Sequence, residues 1–265
     1  METVSVIIPT WNRAATIITA VKSVLEQTHP VTEILVCDDG SADDTKKNIE
    51  SLSDPRIKFI EGVRAGRPAI PRNRGIAQAK GEWIAFLDSD DSWLPGKLDA
   101  QISSAKKLNC RASSTNAFRV IPGKGRVSAY LSLQTEKITF NELILTNFVI
   151  CSSAVLHRSL FESIKGFPES ENLKAIEDYA LWLRISTLTD FAYVSEALVD
   201  YTDDAANSIR VDVKENTQRE AVMRDFYEWS SQNTVDQSKK QSIKKALRTA
   251  MKNNGKGFFE RISIK

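Results

Sequence analysis

Apolar runs and amphipathic stretches alternate through the first third of the chain. Val4-Ser5-Val6-Ile7-Ile8-Pro9 is a short apolar strand closed by proline. Ala14 to Glu26 then carries apolar residues at helical spacing, Ile17, Ile18, Val21, Val24 and Leu25. Glu33-Ile34-Leu35-Val36-Cys37-Asp38 reads as a second buried strand, followed by a helix capped near Ser41 that runs from Asp43 to Ser53. Ile57 to Glu61 predicts a third strand, Asn73 to Ala79 a helix and Glu82 to Asp88 a fourth strand. Strands alternating with helices imply parallel βαβ units with right-handed crossovers.

After Pro95 the pattern loosens. Lys97 to Leu108 predicts a helix, Ala112 to Val120 and Arg126 to Leu133 strands about a Pro122-Gly123-Lys124-Gly125 turn, and Thr139 to Leu145 a further helix. Ser153 to His157 adds a strand, Leu160 to Ile164 a helical turn, and Ile176 to Thr187 a helix that opens with Glu177-Asp178. Two strands, Phe191 to Val194 and Leu198 to Thr202, precede a helical region from Val213 to Lys252.

The most informative segment is Trp83-Ile84-Ala85-Phe86-Leu87-Asp88-Ser89-Asp90-Asp91, an apolar run that stops at three carboxylates. Such a run reads as a strand buried on both faces that delivers acids at its C-terminal end, where open α/β sheets bind ligands. Clustered carboxylates there suit a hard divalent cation that carries phosphates. Turn or cap chemistry competes with that reading, since Asp and Ser both favour loops and helix starts. A calcium-binding helix-loop-helix is excluded, because its sixth loop position needs glycine and Trp93 stands there. The Asp-x-Asp pattern after a strand also resembles haloacid-dehalogenase-type phosphatases, with Asp88 as nucleophile and Asp90 as acid/base.

Composition narrows the class. The chain has 265 residues, 42% of them hydrophobic, and no repeat, enough for one substantial core. Cys37, Cys110 and Cys151 are scattered and lack metal-ligand spacing, so they read as buried small hydrophobes in a reducing, cytoplasmic compartment. No stretch approaches the roughly 18 to 20 apolar residues of a membrane span, and Met1-Glu2-Thr3 leads straight into a strand without a signal-like region. Net charge is only +2, but residues 237 to 265 hold nine Lys/Arg against one acid, Glu260.

Read together, Val6-Ile7-Ile8-Pro9-Thr10-Trp11-Asn12-Arg13, Cys37-Asp38-Asp39-Gly40-Ser41, Pro71-Arg72-Asn73-Arg74-Gly75, the Asp88 cluster and Glu177-Asp178-Tyr179-Ala180-Leu181-Trp182-Leu183-Arg184 recur in a recognisable order. These pieces, spanning residues 3 to 210, resemble the inverting nucleotide-sugar glycosyltransferases of family 2. That resemblance implies an α/β GT-A fold: a Rossmann-like, mostly parallel central sheet flanked by helices, with a smaller acceptor-side region and a C-terminal helical basic tail. The expected division is a catalytic domain over 1–212, its nucleotide-binding half about 1–95 and its acceptor-side half about 96–212, followed by a basic amphipathic extension over 213–265.

The resemblance assigns roles residue by residue. Pro9, Thr10 and Asn12 match the loop that wraps the nucleoside, and Asp39 the acid that accepts a hydrogen bond from uracil. A fixed carboxylate reads an N–H donor and rejects a base lacking one. Arg72 matches a nucleotide or diphosphate contact, suited to it because guanidinium meets phosphate oxygens bidentately. Asp88 and Ser89 fall near the ribose, and Asp90 matches the ligand of a divalent cation, Mn²⁺ or Mg²⁺. Asp178 matches the general base, which inversion requires on the face opposite the leaving diphosphate. Asp91 reads as a cap, Arg64, Arg67 and Arg74 as solvated charges outside the site, and His29 and His157 as structural. Lys165 departs from a glycine of the pattern, and Asp203 and Asp204 stand where many relatives place a metal-site histidine.

The implied partners are a UDP-sugar donor and a lipid-linked or oligosaccharide acceptor, with an undecaprenyl-diphosphate-linked sugar expected, in bacterial O-antigen or capsule synthesis. In the tail, Ile243, Leu247 and Met251 form a narrow apolar stripe among Lys244, Lys245, Arg248 and Lys252, and Phe258, Phe259 and Ile262 follow. A basic amphipathic segment of this kind can lie on an anionic bilayer, giving an expected place on the cytoplasmic face of the inner membrane, or it can pack on its own domain. Nucleic acid is not an expected partner, as no stacking platform accompanies the charge. A non-catalytic nucleotide-sugar-binding protein is the remaining alternative.

Overall fold

The computed structural model describes residues 2–204 and 215–253. The first half runs β1 (Val4–Thr10), α1 (Ile17–Leu25), β2 (Glu33–Asp38), α2 (Thr45–Glu50), β3 (Ile57–Ile60), α3 (Ala69–Gln78) and β4 (Trp83–Phe86). The second runs β5 (Ser92–Trp93), α4 (Lys97–Lys107), β6 (Ala112–Ile121), β7 (Gly125–Ala129), β8 (Lys137–Ile138), α5 (Phe140–Leu143), β9 (Val155–His157), α6 (Leu160–Ile164), α7 (Glu177–Ile185) and β10 (Phe191–Thr202). Two longer helices follow, α8 (Glu215–Gln232) and α9 (Gln237–Asn253).

All strands join one ten-stranded sheet with the path β3-β2-β1-β4-β9-β6-β10-β5, and β7 and β8 lie off it against β6 and β10. The first four strands pair in parallel. Their C-terminal ends therefore share one edge, and the loops holding Asn12, Asp39 and Asp88 emerge there. Beyond β4 the pairing is mixed: β9 is antiparallel to both neighbours, and β6 and β10 are parallel. The two strands expected across Phe191–Val194 and Leu198–Thr202 are one bent strand, its register against β6 shifting between Val194 and Ala197 and again before Asp200.

Alternation along the strands explains why both sheet faces are covered. Val4, Val6 and Ile8 of β1 and Ile34 and Val36 of β2 face α1, α2 and α4, while Ile7, Leu35, Ile84 and Phe86 face a second apolar cluster with α3, α5, α6, α7, α8 and α9. This second cluster takes in the tail stripe: Ile243, Leu247 and Met251 are wholly buried. Of the two arrangements open to that stripe, packing on the domain is the one observed. The start of the terminal helical region at Val213, the 212/213 boundary, and Phe258, Phe259 and Ile262 lie outside the described residues.

Candidate active site

Two loops at the sheet edge build the first part of the site. Asn12 adopts a left-handed conformation (φ 49°), its N–H donates to Ser41 Oγ (2.8 Å), and its own Oδ1 accepts from Ala42 N–H (2.8 Å). Asn tolerates this region at small cost, so the loop after β1 is stitched to the loop after β2. Asp38 ends β2 and turns inward on its own chain, accepting from Gly40 N–H and Ser41 N–H, both at 2.9 Å. Asp39 is buried and accepts from Ala65 N–H (2.8 Å), Gly66 N–H (2.9 Å) and the Arg64 guanidinium. Pro9 and Thr10 are buried beneath this edge, the Thr10 hydroxyl without a hydrogen-bond partner.

The acids after β4 divide into different tasks. Asp88 accepts from Arg72 Nη2 at 2.6 Å, and its N–H donates to Ser152 Oγ at 3.0 Å. Ser89 is buried. Asp90 is partly open and lies 3.3 Å from Arg13 Nη2. Burial and the neighbouring Asp88 charge push its carboxyl above the ordinary range, with Arg13 opposing. Asp91 is not a helix cap as expected: it is buried, accepting from Ser152 Oγ (2.5 Å) and Thr202 N–H (2.8 Å), so it ties this loop to the end of β10.

Asp88 and Asp90 together fit a divalent cation. They are two partly exposed carboxylates whose mutual repulsion is only partly relieved, by Arg72 against Asp88 and Arg13 against Asp90. Among the described residues no group of three or more metal-ligating side chains forms, so the cation such a pair suits is one that draws most of its ligands from phosphate and water.

Arg72 connects this edge to α7. The sequence pattern starts the third helix at Asn73, but α3 begins at Ala69, which puts Pro71 in its first turn, where a missing N–H costs nothing. Arg72 is buried, donating Nη2 to Asp88 and Nη1 to Glu177 Oε1 (2.7 Å), with its guanidinium 5.2 Å from the Phe167 ring centroid. Glu177 is the first residue of α7 and Asp178 the second. Asp178 is buried, accepts from Tyr179 N–H (2.7 Å), and lies 3.5 Å from Asn147 Nδ2. The Cys151 thiol senses the whole group: burial raises it well above the ordinary range, Arg72 opposes, and Asp88, Asp178 and Glu177 reinforce the rise. Asp88 after β4 and Glu177 at the start of α7 thus converge on the buried Arg72.

The expected residues Pro9, Thr10, Asn12, Asp39, Arg72, Asp88, Ser89, Asp90 and Asp178 all lie at this edge or on its buried brace. Sequence reasoning missed Arg13, Glu177 and Ser152, and set Arg64 aside as a solvated charge although it pairs with Asp39. Arg13 and Glu177 stood inside recognised motifs, so adjacency was an available signal. Ser152 carried none. His29 is structural, bonded to Asp99 Oδ1 (3.1 Å) and the Glu2 carbonyl (2.8 Å). His157 pairs beside Trp83 at the opening of β4, away from the acids. Asp203 is engaged by Arg119 Nε (2.5 Å). Lys165 accepts the left-handed conformation (φ 61°) that glycine would take more cheaply.

Residues 5–165 match the Glycosyl transferase family 2 domain. The chain belongs to glycosyl transferase family 2. Within the family it is 39% identical over 182 residues to the Escherichia coli UDP-Glc:alpha-D-GlcNAc-diphosphoundecaprenol beta-1,3-glucosyltransferase WfgD, covering 69% of each chain. It is 30% identical over 230 residues to the Campylobacter jejuni GalNAc(5)-diNAcBac-PP-undecaprenol beta-1,3-glucosyltransferase, covering 83% of this chain and 71% of that one. Among solved structures, S. aureus TarS in complex with UDP superposes with a TM-score of 0.71 over 95% of this chain and 71% of that chain, at 22% identity. The protein is a glycosyltransferase of GT-A fold, which sets aside the phosphatase and binding-protein alternatives.

Proposed function

We propose that this family 2 enzyme moves a hexose from a UDP-sugar to a hydroxyl of a lipid-diphosphate-linked sugar, with inversion, in bacterial surface-polysaccharide synthesis. The observation that carries the reading is the buried Arg72–Glu177 pair, which bonds onward to the partly exposed Asp88 and so fixes the opening turn of α7, and with it Asp178, against the acids after β4. Asp39 reads the uracil N–H, and Pro9, Thr10 and Asn12 enclose the nucleoside. Asp88 and Ser89 lie toward the ribose, and Arg72 holds Asp88 in place from below.

Asp178 takes the acceptor hydroxyl's proton as its oxygen bonds to the anomeric carbon, and the carbon–oxygen bond to the diphosphate breaks with its electron pair leaving on UDP. One such displacement turns an α donor into a β product. A divalent cation, held by Asp90 with Asp88 beside it, would offset charge on the departing diphosphate. UDP-glucose and a GlcNAc-diphosphate lipid are the first pair to assay, given the activities named for the relatives.

Asp178→Asn should leave UDP-sugar binding nearly unchanged while transfer falls about 10²- to 10⁴-fold. Asp90→Ala should abolish the divalent-cation dependence of donor binding in calorimetry. Full transfer by the Asp178→Asn enzyme defeats the base assignment.

The same reading includes a bilayer. Among the described residues no helix is long and apolar enough to cross a membrane. With the α9 stripe packed inward, contact falls to the outer face, where Lys244, Lys245, Arg248 and Lys252 stand without an acid among them. Each cation near an anionic surface adds about 1 kcal/mol. Flotation with anionic but not neutral liposomes, lost in a Lys245→Glu/Arg248→Glu/Lys252→Glu protein, supports this; undiminished flotation refutes it.

A further inference from the structure

Trp11, the first residue after β1, is 43% exposed although its ring is large and apolar. The Arg64 guanidinium covers that ring, 3.6 Å from its centroid, which is stacking distance. The same guanidinium donates to Asp39. The backbone around Arg64 is pinned, because Ala65 N–H and Gly66 N–H both donate to the buried Asp39 carboxylate. Gly40 (φ 78°) lets this loop approach: a Cβ there would lie 2.9 Å from Arg64 N. What remains free to move is the Arg64 side chain, itself 42% exposed.

A guanidinium is planar, stacks on aromatic faces and directs N–H donors within its plane. A pyrimidine ring bearing one ring N–H offers those same features to the same two partners. We infer that Arg64 is a self-ligand of the nucleobase subsite, filling the place of the base on Trp11 and Asp39 until a pyrimidine displaces its side chain. This rests on the reading of Asp39 as the base acid. Closure lowers apparent affinity by the fraction of molecules that are open. A surface cation–π contact and a half-exposed ion pair are each modest, so the penalty is about five- to thirty-fold and not a block. Displacement also filters bases. A ring without an N–H toward Asp39 removes the guanidinium donor and returns none, leaving a buried carboxylate short of a partner.

Calorimetry with uridine monophosphate in the presence of a chelator tests this on the wild-type chain and on Arg64→Ala, Arg64→Gln and Asp39→Asn. Ribose 5-phosphate serves as the base-free control, and thermal melts identify any variant that fails to fold. Both Arg64 variants should bind uridine monophosphate about five- to thirty-fold more tightly, with ribose 5-phosphate binding unchanged. Equal or weaker uridine monophosphate binding by a folded Arg64 variant overturns the self-ligand, and points to Arg64 as a direct contact of the bound nucleotide. Asp39→Asn reports separately on the base acid: wild-type affinity there removes that assignment whatever the Arg64 variants do.

Discussion

The two ends of the parallel strands treat carboxylates in opposite ways. At the N-terminal end Glu33 opens β2, buried, and accepts from Ser5 Oγ (2.7 Å), Lys80 N–H (2.7 Å) and Lys58 Nζ (2.6 Å). Burial alone would raise its carboxyl, but Lys58, Lys80 N–H and Ser5 outweigh that and hold it below the ordinary range. At the C-terminal end Asp90 and Glu177 are held above the range, each by burial first and by a neighbouring carboxylate, against arginines that only partly compensate. A carboxylate held down is finished in the folded chain. One held up is short of positive charge, which a ligand can bring.

The sharpest break of that comparison is Arg72→Ala, which leaves Glu177 buried beside Asp178 and frees Asp88. Removing one partner of a buried pair costs about 3 to 5 kcal/mol, measurable as a loss of unfolding free energy in urea. A loss under about 1 kcal/mol would mean that water or a loop shift supplies the missing charge, and the catalytic end is then less rigid than its contacts indicate. If the variant folds, donor binding and transfer should both fall, because Arg72 serves Asp88 and Glu177 at once.

How much of this was legible in the sequence follows the same division. The first four strands announce themselves because each is a short apolar run flanked by an amphipathic helix, and acids at their ends mark the ligand edge without any long-range information. Asp39, Asp88, Asp90 and Asp178 came from ordered motifs. Ser152 did not, since it reaches Asp88 and Asp91 only through the close approach of the segment before β9 to the end of β4, which no local pattern encodes. Arg64 was read as surface charge, with Arg67 and Arg74, because arginines in such a stretch usually are; its stack on Trp11 depends on how the loops after β1 and β3 meet. The burial of Ile243, Leu247 and Met251 was equally undecidable, as an amphipathic stripe has the same spacing whether it faces a bilayer or α8.

Glu33→Gln sharpens the contrast from the structural end. The substitution keeps an acceptor for Ser5 or Lys80 but ends the charge-assisted bond to Lys58, costing about 2 kcal/mol at pH 7. The sign with pH follows from the lowered carboxyl. Its stabilisation is fully present above the unfolded-state value near 4 and is lost as pH falls through the lower folded-state value. The difference between wild type and variant should therefore shrink in acid denaturation curves as pH falls below about 4. A difference that stays constant with pH would make the contribution one of shape and not of charge.

Asp90→Asn makes the smallest change and the one of opposite sign. It removes one of two adjoining like charges and gives up only a partly exposed pair with Arg13, worth at most about 1 kcal/mol. Because the Asp90 carboxyl is raised, its ionised form opposes folding, and that opposition grows as pH rises through the folded-state value. The variant should thus equal or exceed wild type in stability at pH 8 without divalent cation, by up to about 1 kcal/mol, and lose this margin as pH falls below about 4, where the carboxyl becomes protonated in the unfolded as well as the folded chain. Added Mn²⁺ with UDP should reverse the order, stabilising wild type and not the variant, since only ligand bound to the native state shifts unfolding. If Asp90→Asn is less stable than wild type at pH 8 without metal, the Arg13 pair outweighs the repulsion, and the acids at this edge are as finished as Glu33.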